Sequence, residues 1–123
     1  MALRVLLVED NALNQELARD LLEAAGHRVE VIDDGESFRE RMAGGAAPDV
    51  VLMDVLLPGV DGVTLVRELR AGGATLPVVA VTAQVLAGEV ERFMSAGFDA
   101  VIGKPIDTRR FVADVESWAK KRA

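Results

Sequence analysis

Val50-Val51-Leu52-Met53-Asp54 decides how the chain is read: four apolar residues in a row, two of them β-branched valines, closing on a carboxylate. An apolar run this short, with no polar alternation, describes a strand covered on both faces, as in a parallel sheet. Upstream, Leu3-Arg4-Val5-Leu6-Leu7-Val8 is a similar run that stops at Glu9-Asp10, and Val29, Val31 and Ile32 mark a weaker one. Downstream, Val78-Val79-Ala80-Val81 ends on Thr82, and Ala100-Val101-Ile102 ends at Gly103-Lys104-Pro105.

Between these runs the apolar period lengthens to that of helices. Leu13, Leu17 and Leu21 recur every fourth residue beside Ala18, Leu22 and Ala25, and Gly26 is placed to end that helix. Leu13 and Leu17 are expected mostly in the core, with a minority at the amino-terminal end left outside. A short helix follows Asp33-Asp34-Gly35 and reaches about Met42. Pro58-Gly59 and Asp61-Gly62 precede a helix carrying Val63, Val66, Leu69 and Arg70. The next carries Leu86, Val90, Phe93 and Met94 and ends near Gly97; the last runs from about Asp107, with Phe111, Val112, Val115 and Trp118 on one side.

Five strands alternating with five helices predict an α/β fold, a parallel sheet covered on both sides with right-handed crossovers. The candidate orders are a flavodoxin-like (βα)5 three-layer sandwich, 2-1-3-4-5, and a mononucleotide-binding half of a doubly wound sheet. With 123 residues and no internal repeat or linker, residues 1–123 read as a single domain.

Composition narrows the functions. The chain has no cysteine, which excludes disulfide scaffolds, Cys-ligated zinc and Cys nucleophiles. No apolar run has the length of a membrane span, and the amino terminus lacks the pattern of a signal peptide. A cytoplasmic protein is expected. Net charge is −6, which argues against nucleic-acid binding. The first 60 residues hold 5 Lys and Arg against 12 Asp and Glu, a balance of −7, and the remainder sums to +1. A cation is therefore the expected guest of the first half. Lys120, Lys121 and Arg122 read as a solvated helix end.

Open parallel sheets bind ligands beyond the carboxyl ends of their strands. In order 2-1-3-4-5 the four contiguous strands end in Glu9 and Asp10, Asp54, Thr82 and Lys104. Two carboxylates about 4 Å apart repel by about 4 kcal/mol at an effective dielectric near 20, and a divalent cation reverses the sign. Few carboxylates, with water and a phosphate completing the shell, describe Mg²⁺. Metal plus lysine is the apparatus that stabilises a transferring phosphoryl group. A glycine-rich phosphate loop is absent after the first strand, and an aspartate can itself be the nucleophile. Asp54, closing the most buried strand, is the candidate. Thr82 and Lys104 are placed to contact phosphoryl oxygens.

These segments, Val5-Leu6-Leu7-Val8-Glu9-Asp10-Asn11, Leu52-Met53-Asp54 with Pro58 and Asp61-Gly62, Val79-Ala80-Val81-Thr82-Ala83 and Gly103-Lys104-Pro105, closely resemble the receiver domain of bacterial two-component response regulators. In style they are nearest to receivers of hybrid histidine kinases and single-domain regulators. The resemblance implies that Asp54 is the phosphoacceptor and that Glu9, Asp10 and Asp54, with the backbone carbonyl of Leu56, hold Mg²⁺. It implies a cis peptide bond at Lys104-Pro105. The donor would be a sensor histidine kinase or a histidine phosphotransfer protein, and the amino-terminal end of the first helix would hold a kinase-docking patch. The chain would then be a signalling phosphoacceptor rather than an enzyme, with no output module and no direct contact with nucleic acid or membrane, and a monomer. Phosphorylation would draw Thr82 inward, and with it the Ala83–Ala87 loop and the following helix.

One position departs from the family. Receivers usually carry Tyr or Phe three residues before the active-site lysine, and this chain has Val101, too small to report by a ring swing. Phe98 is expected in core packing. The single histidine, His27, is expected far from the acidic cluster. Leu56 and Gln84 are expected to flank the approach of hydrolytic water. Among rival readings, an aspartyl-phosphate phosphatase of the haloacid dehalogenase type needs a general acid at position 56, which is leucine. A flavodoxin relative needs a phosphate loop. A receiver-shaped interaction scaffold that never uses phosphorylation is the remaining alternative.

Overall fold

A computed structural model describes residues 2–121 of the backbone and 2–119 of the side chains. The side chains of Lys120, Lys121 and Arg122 lie outside the described residues. Five strands, β1 (Arg4–Val8), β2 (Arg28–Ile32), β3 (Val50–Asp54), β4 (Val78–Thr82) and β5 (Ala100–Gly103), form one parallel sheet in the order β2-β1-β3-β4-β5. Five helices join them: α1 (Ala12–Ala24), α2 (Gly35–Ala43), α3 (Gly62–Ala71), α4 (Ala87–Ala96) and α5 (Phe111–Lys121). This is the flavodoxin-like fold expected from the alternation.

Period-two geometry sends successive side chains of each strand to opposite faces, and each face has its own core. Leu6, Val8, Val51, Met53 and Ala80 meet Phe38, Val66 and Phe93 from α2, α3 and α4. Val5, Leu7, Leu52, Val79 and Val81 meet Ala18, Leu22, Phe111 and Val115 from α1 and α5. Every residue of β3 and β4 is buried, which is why those segments read as unbroken apolar runs. Phe98 packs in the first core, edge-on to Phe93 with ring centroids 6.1 Å apart.

Local signals set three helix starts. Asn11, Asp34 and Asp61 each accept a backbone N–H three residues on, from Asn14, Ser37 and Thr64. Asn11 therefore caps α1. Gly26, at φ +92°, turns the chain out of α1 in the left-handed region.

The structure corrects several expectations. Leu13 and Leu17 are 76 % and 38 % exposed, so α1 buries Ala18 and Leu22 instead. Leu86 is not a helical residue of α4 but its N-cap, 74 % exposed, and Met94 is exposed too. The last helix begins at Phe111, four residues later than expected. Asp107 first forms a turn, with its carbonyl accepting from Arg110 and Phe111 and its side chain from Arg109. His27 does lie far from the acidic cluster, as expected, but it is built into the opposite end of the fold. Its Nδ1 accepts the Leu3 N–H at 3.0 Å, and Nε2 lies 2.7 Å from Glu116 on α5.

Candidate functional site

The sheet order makes β1, β3, β4 and β5 neighbours, and their carboxyl ends deliver the polar residues to one place. Met53 is paired with Val8, and Asp54 is paired with Val81, one residue before Thr82. The ladders run on past the strand ends: Glu9 N–H donates to the Ile32 carbonyl and Lys104 N–H to the Thr82 carbonyl, both at 2.9 Å. The backbone thus holds Glu9 and Lys104 as firmly as strand residues.

Glu9, Asp54 and Thr82 are buried, Lys104 is half-buried and Asp10 is exposed. One carboxylate oxygen from each of Glu9, Asp10 and Asp54 lies within 4.8 Å of the others. Lys104 Nζ donates to both Glu9 Oε1 at 2.7 Å and Asp54 Oδ2 at 3.0 Å. The second oxygens are held from the backbone, Glu9 Oε2 by the Asn11 N–H at 3.2 Å and Asp54 Oδ1 by the Leu56 N–H at 3.0 Å. Thr82 Oγ1 accepts the Gln84 N–H at 3.1 Å, which leaves the hydroxyl proton free to donate.

Burial raises the Glu9 carboxyl above the ordinary carboxylate value, the Asp54 charge adding to it, against the opposing pull of Lys104 and the Asn11 N–H. Burial alone would lower Lys104, but its hydrogen bonds and charge interactions with Glu9 and Asp54 outweigh that and hold the ammonium above its usual value. One cation is thus shared by two carboxylates, and the site keeps an excess of negative charge.

That donor set suits Mg²⁺. All three acidic groups are hard oxygen donors, and no histidine belongs to the cluster, so the set is wrong for zinc or copper.

Three neighbours complete the site, and one of them escapes a reading of strand ends. Gln15, a turn into α1, donates its side-chain amide to the Glu9 carbonyl and ties the helix to the acidic loop. Its only trace in the sequence is a polar residue four positions after the capping Asn11. Gln84, whose N–H bonds Thr82, buries its side-chain Oε1 without a hydrogen-bond partner among the described residues. Gly62, whose N–H donates to the Val55 carbonyl at 2.8 Å, sits so close to β3 that a Cβ there would lie 2.9 Å from the Asp54 carbonyl oxygen. The peptide bond between Lys104 and Pro105 is cis, as the resemblance implies. Val101, in place of the usual aromatic, is half-buried and packs against the first core.

Comparison with known proteins agrees with this geometry. The family model of the response regulator receiver domain matches residues 5–116. The polar-differentiation response regulator DivK of Brucella anthropi is 38 % identical over 116 residues, covering 93 % of this chain and 94 % of that protein. DivK of Brucella ovis is 38 % identical over 120 residues, with 96 % and 97 % covered. Among solved structures, the receiver domain of sensor histidine kinase PA1611 from Pseudomonas aeruginosa, with a magnesium ion coordinated in its active-site cleft, superposes with a TM-score of 0.85 at 34 % identity. That match covers 98 % of this chain and 99 % of the other. The Francisella response regulator 1452 receiver domain, 21 % identical, shares the fold with a TM-score of 0.92 over 98 % of this chain and 99 % of its own. An acidic cluster at the ends of β1 and β3, a buried threonine ending β4 and a lysine after β5 are carried here by a chain that belongs to the response regulator receiver domain family.

Proposed function

We propose that this chain is a phosphoacceptor in two-component or phosphorelay signalling, taking a phosphoryl group from a phosphohistidine onto Asp54. The donor is a histidine kinase or a histidine phosphotransfer protein, and the encounter takes place in the cytoplasm. The observation that carries this reading is the position of Lys104 Nζ, 2.7 Å from Glu9 and 3.0 Å from Asp54. A lysine so placed neutralises the nucleophile's surroundings before reaction and is at hand for a phosphoryl oxygen afterwards.

In the transfer an Asp54 carboxylate oxygen attacks phosphorus, the P–N bond to histidine breaks, and its electron pair returns to the imidazole nitrogen. Glu9, Asp10 and Asp54, with the backbone carbonyl of Leu56, would hold Mg²⁺, which supplies the positive charge that offsets the carboxylates and the arriving phosphoryl oxygens. Lys104 exchanges Asp54 for one phosphoryl oxygen. Thr82 donates its free hydroxyl proton to another and moves toward it, drawing the Ala83–Ala87 segment along. The new group adds about 1.5 to 2 negative charges, and the receiver then switches or hands the phosphoryl group on. Its chemistry is confined to its own phosphorylation and dephosphorylation.

Intact mass after incubation with acetyl phosphate and Mg²⁺ tests this. The expected result is a gain of one phosphoryl group that disappears with chelator or in Asp54→Asn. A wild-type chain that gains nothing from either acetyl phosphate or a phosphorylated kinase favours the scaffold reading. A gain that persists in Asp54→Asn overturns the assignment of the nucleophile.

A further inference from the structure

Three residues, Glu9-Asp10-Asn11, lead from β1 to α1, and both ends of this loop are fixed. The Glu9 N–H donates to the Ile32 carbonyl, and Asn11 caps α1 through the Asn14 N–H. The two acids of the loop differ in how they are held. The Glu9 carboxylate is buried and takes bonds from Lys104 and from the Asn11 N–H. Asp10 is exposed, and its carboxylate makes no hydrogen bond or ion pair among the described residues. Its direction is therefore set by the backbone on either side of it.

A peptide unit is planar, so whatever holds its carbonyl or its N–H orients the whole unit. The unit on the carboxyl side of Asp10 is held through the Asn11 N–H, 3.2 Å from Glu9 Oε2. The unit on the amino side, between Glu9 and Asp10, is held through the Glu9 carbonyl, to which Gln15 Nε2 donates at 2.5 Å. No other donor reaches that carbonyl among the described residues. Side chains on a helix lean toward its amino end, so Gln15, a turn into α1, folds back over the loop. The reverse orientation of its amide would set oxygen against oxygen, which fixes Nε2 as the atom facing the carbonyl.

We propose that Gln15 is a positioning residue for the metal-binding half of the site. By holding the Glu9–Asp10 peptide it aims the Asp10 carboxylate at the place where oxygens of Glu9, Asp10 and Asp54 come within 4.8 Å of one another. This role rests on the Mg²⁺ reading given above. It leaves the nucleophile untouched, because Asp54 is fixed separately by Lys104 Nζ and the Leu56 N–H. Loss of the Gln15 bond therefore weakens Mg²⁺ binding without disarming Asp54.

The test titrates Mg²⁺ into the ¹⁵N-labelled wild type and Gln15→Met, a side chain of similar length with no donor, while the amide shifts of residues 9–11 and 54–56 are followed. Gln15→Met is expected to bind Mg²⁺ about tenfold more weakly, the lower end of what removing the partner behind a metal ligand costs. Gln15→Asn, which keeps the amide but withdraws it by one methylene, should lose comparably. Phosphorylation by acetyl phosphate should show the matching split: more Mg²⁺ is needed for half-maximal rate, and the rate at saturating Mg²⁺ is unchanged. In an Asp10→Asn background, which itself binds more weakly, Gln15→Met should cost less than about twofold more, because both act through one carboxylate. Equal Mg²⁺ affinity in the wild type and Gln15→Met, or a full further loss on top of Asp10→Asn, overturns the role of Gln15. A wild-type chain with no Mg²⁺-dependent shift overturns the metal reading on which that role rests.

Discussion

Lys104 Nζ stands 3.0 Å from Asp54 Oδ2, though the two residues are fifty positions apart and sit at the ends of β5 and β3, which β4 separates. The same nitrogen is 2.7 Å from Glu9, 95 positions away. A single ammonium therefore restrains two carboxylates that would otherwise repel across the end of the sheet.

Removing that ammonium exposes the repulsion. Lys104→Met is expected to lower stability by about 1–3 kcal/mol without metal, the cost of leaving a buried charged acceptor unpaired. Urea unfolding with and without Mg²⁺ checks this, and the deficit should shrink when Mg²⁺ is present. Asp54→Asn, which removes one of the competing charges, should be neutral or stabilising in chelator.

Glu9 makes the metal-free site pH-dependent. Its folded value is raised, so protons bind the folded state more tightly than the unfolded one. The resulting stability is fully present below the ordinary value of 4.5 and is lost as pH rises through the raised folded value. Urea midpoints measured in chelator should therefore fall over that window relative to Glu9→Gln. Saturating Mg²⁺ should reduce the fall, because the cation takes the proton's place.

Gly62 has no room for a side chain. A Cβ would lie 2.9 Å from the Asp54 carbonyl oxygen and 3.0 Å from Val55 Cα, both backbone atoms that cannot swing aside. Gly62→Ala is expected to cost about 1–3 kcal/mol through overpacking and to displace Asp54. Denaturant unfolding reads the first effect, and the rate of phosphorylation by acetyl phosphate reads the second. A variant with wild-type stability and rate would mean that α3 shifts freely on the sheet.

His27 is a structural joint at the far end of the molecule. Because Nδ1 receives the Leu3 N–H, it carries no proton of its own, and Nε2 donates to Glu116. His27→Ala strands a buried N–H, with an expected loss of about 1–3 kcal/mol. Phosphorylation of the folded variant should be unchanged. Hydrogen exchange at Leu3 should be faster than in the wild type.

Short-range pattern determined much of this protein. Runs such as Val50–Met53 and Val78–Val81 read as strands covered on both sides, and the residues that end them are the ones that gather at the site, because a parallel sheet aligns all its carboxyl ends. Asn11, Asp34 and Asp61 set helix starts by bonds that span three residues. Periodicity could not say which leucines of α1 face the sheet, since Leu13 and Leu17 share the spacing of Leu21. The seating of α1 through Ala18 and Leu22 decided that, and left the first two exposed. Likewise Asp107 carries a helix-start signal that its turn uses first, postponing α5 to Phe111. The sharing of Lys104 between Glu9 and Asp54 and the His27–Glu116 joint belong to tertiary structure alone. Each depends on distances between residues that no local spacing relates, and those distances exist only once the sheet order and the helix packing have been set.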